Sequence, residues 1–114
     1  MSDPLPRIEP DRLVHEPARL AILVILSAVE EADFLFLLEQ TGMTKGNLSS
    51  HTARLEAARY IEIEKTIVGK TTRTVYRLTD AGAHALALYR DHMTGVLELL
   101  TSRAGSPSNP PTER

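Results

Sequence analysis

The chain holds 114 residues, enough for one domain that buries well over half of its unfolded surface. Two Phe, three Tyr and no Trp make the core aliphatic; the lack of cysteine excludes thiolate metal sites and disulfides and fits a reducing cytoplasm. The formal charge is −2, from 13 basic and 15 acidic residues, which argues against a general polyanion binder. The longest apolar run, Leu20 to Leu26, is far short of the roughly 20 residues of a membrane span. No stretch joins a basic start, an apolar run and a small-residue cleavage site. A soluble intracellular protein with no membrane partner is expected.

Residues 1–10, with Pro4, Pro6 and Pro10, predict a flexible arm, and the Pro- and Ser-rich residues 104–114 predict a disordered tail. Residues 11–103 then form the domain. A short helical turn is expected at Asp11 to His15. Pro17 suits a first helical position, and the helix it opens is predicted to run to about Glu30. That helix is apolar nearly all round, which suggests burial on more than one side or cover by a second subunit. Asp33 caps a second helix, Phe34 to Gln40, with Phe34, Leu37 and Leu38 inward, and Thr41-Gly42 ends it. Thr44 caps a third helix from Lys45 to about Arg59. Two helices joined by a short glycine-containing turn make a helix-turn-helix.

After Tyr60 the pattern changes to period two. Ile61 and Ile63 alternate with Glu62 and Glu64, and Gly69-Lys70 marks a turn. Thr74, Tyr76 and Leu78 are the inward set of the returning strand, with Val75 and Arg77 on its other face. Thr79-Asp80 starts a long last helix to about Arg103, with Leu86, Tyr89, Met93, Val96, Leu97 and Leu100 as its apolar surface. The fold class is α+β and mainly helical, a winged helix-turn-helix. It has a three-helix core, a β-hairpin wing and a long C-terminal dimerisation helix.

Charge is uneven along this order. Residues 41–79 hold seven basic and three acidic side chains, or +4, and the remainder holds six and twelve, or −6. A positive face with acidic flanks approaches DNA in one orientation. On a helical wheel Leu48, Thr52 and Leu55 of the third helix form the buried stripe. The opposite face carries Gly46, Ser50, Ala53, Arg54 and Ala57, with Asn47 on its shoulder and Ser49 and His51 flanking it. Small residues let the backbone approach a major groove, and Asn and Arg supply the donors and acceptors that read base edges. Alone, such a face fits an ordinary solvated helix better. The following hairpin favours DNA, because Lys70 and Arg73 lie at or beside its tip, between Ile67 and Val75, with Thr71 and Thr72 as further donors.

Together the segments TKGNLSSHTARLE, YIEIEK and TVYRLTDAG resemble the small stand-alone winged helix-turn-helix transcriptional regulators near the MarR and ArsR superfamilies, over about residues 11–100. The resemblance implies sequence-specific binding of double-stranded DNA by a homodimer, with the first and last helices at its interface. It implies reading positions at Lys45, Asn47, Ser49, Ser50, His51 and Arg54, and wing positions at Lys70 and Arg73. The wing departs from relatives that carry a proline and further arginine there, which implies weaker or differently placed contacts. A small-molecule effector has no identity in the sequence. No cofactor or metal is called for, since His84 and His92 lie about 12 Å apart along one helix, too far to share an ion within a subunit; a site completed across a dimer is the less favoured alternative. No nucleophile elbow, phosphate loop or His-Glu metal motif is present, so catalysis is not expected. A non-catalytic winged helix used for protein contact is the alternative.

Overall fold

A computed structural model of the chain describes residues 10–104. The expected N-terminal arm, apart from Pro10, and the expected tail, apart from Ala104, lie outside the described residues.

Each of the first three helices begins on the capping residue its sequence supplies. In α1 (Pro17–Ser27) the Glu16 side chain accepts from the Arg19 amide at 2.8 Å. This backbone hydrogen bond, aided by His51 and Arg19 nearby, holds the Glu16 carboxyl below its ordinary range. Asp33 caps α2 (Phe34–Thr41) through the Phe36 amide at 2.8 Å, and Gly42 closes that helix at φ 70°, a left-handed position that suits glycine. Thr44 caps α3 (Lys45–Ala57) through the Asn47 amide at 3.1 Å.

Two helices stop earlier than their patterns suggest. α1 ends at Ser27 rather than Glu30, because the chain turns there into a short strand, β1 (Ala32–Asp33). α3 ends at Ala57 rather than Arg59. Arg59 takes the left-handed conformation at φ 65°, its amide donating to the Glu56 carbonyl (2.8 Å) and that of Tyr60 to the Leu55 carbonyl (3.0 Å). Those paired bonds are the usual way a helix satisfies its last carbonyls, here without the usual glycine.

The hairpin comprises β2 (Ile61–Val68) and β3 (Thr71–Leu78), antiparallel in continuous register from Ile61 opposite Leu78 to Val68 opposite Thr71. Its two-residue loop places Gly69 at φ 66°, while Lys70 keeps a negative φ, the pattern of a type II′ turn. β1 adds to the other edge of β3, giving the order β1-β3-β2. The sequence pattern does not foreshadow β1, and its presence accounts for the burial of Val75. That residue sits on the face opposite Tyr76, as expected, but is only 3% exposed, since Asp33 lies beside it on one side and Glu64 on the other.

The core joins Ile22, Leu23 and Leu26 of α1 to Leu37 of α2, Leu48 and Leu55 of α3, and Ile61 and Tyr76 of the hairpin. α4 (Asp80–Ala104) enters it through Ala85. Gly82 brings α4 against the start of the hairpin so closely that a Cβ there would overlap the Tyr60 carbonyl. Thr79 locks the same junction, donating its hydroxyl to the Arg59 carbonyl (2.7 Å) and accepting from the Gly82 amide (2.9 Å). The second half of α4 leaves the core, with Leu97 and Leu100 58% and 61% exposed. No described helix is long and apolar enough to cross a membrane.

Candidate nucleic-acid interface

α3 buries Leu48, Thr52 and Leu55 and exposes Lys45, Gly46, Asn47, Ser49, Ser50, Ala53 and Arg54. The Thr52 hydroxyl is buried safely because it donates back to the helix, at the Leu48 (2.9 Å) and Ser49 (3.1 Å) carbonyls. At about 100° per residue, Ser49, Ala53 and Glu56 face the hairpin, Gly46 and Ser50 point outward, and Asn47 and Arg54 take the far flank.

Between α3 and the hairpin lies an open hollow of about 590 Å³, lined by Ser49, Ala53 and Glu56 on one side and by Ile63, Lys65 and Thr74 on the other. Tyr76 lies at its base, its phenol pKa raised chiefly by burial, with a Thr52 hydrogen bond opposing and the Glu56 charge adding. Lys65 was not among the residues singled out from the sequence. The signal was present, since Ile61, Ile63, Lys65 and Ile67 form one alternating set, and two of that set pack on the core.

Two expected contacts are placed differently. Arg73 pairs with Thr66 in the hairpin and so stands on the face away from α3, not at the tip. There its guanidinium lies 3.8 Å from both Glu31 and Asp33. Arg77, on the same face, bridges Glu31 (3.0 Å) and Glu64 (2.9 Å), and the Glu64 hydrogen bond raises its pKa further. His51 turns toward α1. Its Nδ1 accepts from Arg19 Nη1 at 3.2 Å and lies 4.0 Å from Glu16, so the ring braces the two helices. Arg19 is only 8% exposed, and its Nε donates to the Leu13 carbonyl at 2.7 Å. In contrast, no carboxylate among the described residues pairs with Lys45, Arg54, Lys65 or Lys70. Behind the sheet, Arg73 and Arg77 thus face carboxylates, whereas Lys45, Arg54, Lys65 and Lys70 on α3 and the hairpin have none within 4 Å among the described residues.

His84 and His92 line a separate hollow with Asp11, Tyr60 and Tyr89. Among the described residues no three His, Asp or Glu side chains are grouped to hold a metal ion.

Residues 18–97 match the family model described as a winged helix DNA-binding domain. The chain belongs to that family. An uncharacterized protein of Methanocaldococcus jannaschii is 26% identical over 88 residues, covering 77% of this chain and 92% of the relative. The solved structure of a transcriptional regulator homologue from Pyrococcus horikoshii OT3 has the same winged helix at a TM-score of 0.75 and 27% identity, over 82% of this chain and 92% of that one. A PadR family transcription regulator from Clostridium difficile R20291 shares the fold at a TM-score of 0.66 and 15% identity, over 79% of this chain and all of that one. The winged helix-turn-helix expected from the sequence is the family's fold, and the hairpin β2-β3 is its wing.

Proposed function

We propose that this winged helix protein is a sequence-specific transcriptional regulator that binds double-stranded DNA as a homodimer. α3 enters the major groove and the wing lies along the minor groove and its phosphates. The observation that carries this reading is the sorting of cations, with Lys45, Arg54, Lys65 and Lys70 unpaired among the described residues, beside a face of Gly, Ser, Asn and Ala.

Asn47, Ser50 and Arg54 are the base-reading candidates, with arginine suited to guanine and asparagine to adenine. Lys45, Ser49, Lys65 and Lys70 are the phosphate candidates. Arg73 and His51 support the wing and α3 through their partners. Homodimerisation is supported by apolar side chains on α1 and α4 that the single chain leaves in water: Val24, Leu97 and Leu100.

The roles separate experimentally. Arg54→Ala is expected to relax discrimination at one base pair by about 1–3 kcal/mol. Lys70→Ala is expected to weaken all sites alike and to reduce the log affinity against log salt slope by about 1. If binding to DNA is unchanged in both variants, these contacts are wrongly assigned.

A further inference from the structure

The most exposed large apolar side chain among the described residues is Ile67, at 78%. It is the second-last residue of β2, opposite Thr72, one step from the turn. Its alternation with Ile63 and Lys65, which line the hollow beside α3, puts Ile67 on the α3 side of the wing. Lys65 precedes it on that face and Lys70 follows in the turn, so a branched aliphatic group stands between two cations that no described carboxylate pairs. Val68 belongs to the opposite face and lines a hollow with Leu35 and Arg73 behind the wing. Water is a poor environment for Ile67, and nothing among the described residues covers it.

Resting on the DNA-binding reading above, we propose that Ile67 is a specificity-determining residue of the wing, seated on the floor of the minor groove and selecting A·T pairs beside the segment read by α3. Charge complementarity fixes the occupant, since Lys65 and Lys70 suit the phosphates on the groove's two walls. The floor of an A·T pair offers only the acceptors adenine N3 and thymine O2, and no group projects from it, so the branched side chain of Ile67 packs against it. A G·C pair adds the guanine N2 amine. Ile67 would cover that donor without giving it an acceptor, and an unsatisfied donor is costly. The wing therefore selects by exclusion, with an aliphatic group where an arginine would attract.

The test uses the full chain and duplexes selected from random DNA, with base pairs under the wing exchanged. Inosine·C has the minor groove of A·T and the major groove of G·C, and diaminopurine·T has the reverse. Inosine·C is expected to bind like A·T, while diaminopurine·T and G·C bind about tenfold more weakly. Ile67→Ala is expected to keep the fold and the salt slope and to lose most of that tenfold ratio, while Ile67→Val keeps part of it. The proposal is overturned if inosine·C follows G·C, or if Ile67→Ala leaves the ratio unchanged, as a protein-contact role for Ile67 would. Wild-type protein with no salt-dependent affinity for any duplex would overturn the DNA-binding reading as well, so the two failures are distinguishable.

Discussion

Residue by residue, the buried positions of α3 were legible because a helix repeats its faces. Leu48, Thr52 and Leu55 are inward as their spacing dictates. Ion pairs were not legible in the same way. Strand alternation puts Arg73 behind the wing, but its partners Glu31 and Asp33, about 40 positions earlier, reach it only because β1 joins the sheet. His51 meets Glu16 and Arg19 across a similarly long stretch of chain. A wheel or a strand pattern contains no information on such partners. Tyr60 is another case: its hydroxyl donates to Asp11 Oδ2 at 2.7 Å, tying the turn before α1 to the start of the hairpin. That bond, with partial burial and the Asp11 charge, pushes the Tyr60 pKa from 10 up to about 12. The neutral phenol is the form the fold favours. Its stabilisation is therefore complete below pH 10 and is lost as pH rises through about 12. Tyr60→Phe should lower the melting temperature by a constant amount from neutral pH to pH 10, and the gap should close between pH 10 and about 12. A gap independent of pH across that window would assign the difference to packing.

At the scale of elements, capping residues and turn glycines located nearly every boundary; α1 ends early where the chain enters β1, and α3 ends early on the left-handed Arg59, a close that normally takes glycine. β1 is two residues long, too short for any alternation to reveal, and exists because β3 offers it an edge. Gly82 shows how an element can be fixed by a missing side chain. The α4 helix approaches the Tyr60 carbonyl at Gly82, and the Leu78 side chain lies 2.8 Å from where a Cβ would stand. The obstacle at Tyr60 is backbone, which cannot rotate aside. Gly82→Ala, although favourable for an isolated helix by about 1 kcal/mol, should destabilise the protein by about 1–3 kcal/mol. Chemical denaturation would measure it, and a gain in stability would mean that α4 docks differently. Gly95, on the outer half of the same helix, has no neighbour within 4 Å of the place a Cβ would take, so Gly95→Ala is the matched control that should stabilise.

At the scale of the whole molecule, the fold places two surfaces apart. One is the polar, cationic side made by α3 and the wing; the other carries the exposed apolar side chains Val24 of α1 and Leu97 and Leu100 of α4. Two chains joined through the second surface would present two copies of the first, related by a twofold axis, which matches the repeated half-sites of a palindromic duplex. The charge sum of −2 conceals this division, and the +4 of residues 41–79 reveals only part of it. Arg73 and Arg77 belong to that +4, yet their charge is offset by Glu31, Asp33 and Glu64. Lys65, which the same count includes without distinction, lines the hollow beside α3. Sign along the chain and the face of each strand position were readable, but which carboxylates meet Arg73 and Arg77 required the sheet.

Selection of bound duplexes from random DNA by the full chain tests the central claim most directly. The expected result is an enriched motif of two inverted half-sites whose centres lie about one helical turn, roughly 10 bp, apart, with affinity that falls as salt rises. Recovery of unenriched random sequence, with no salt-dependent binding, would contradict the assignment of α3 and the wing to DNA and favour a role in protein contact.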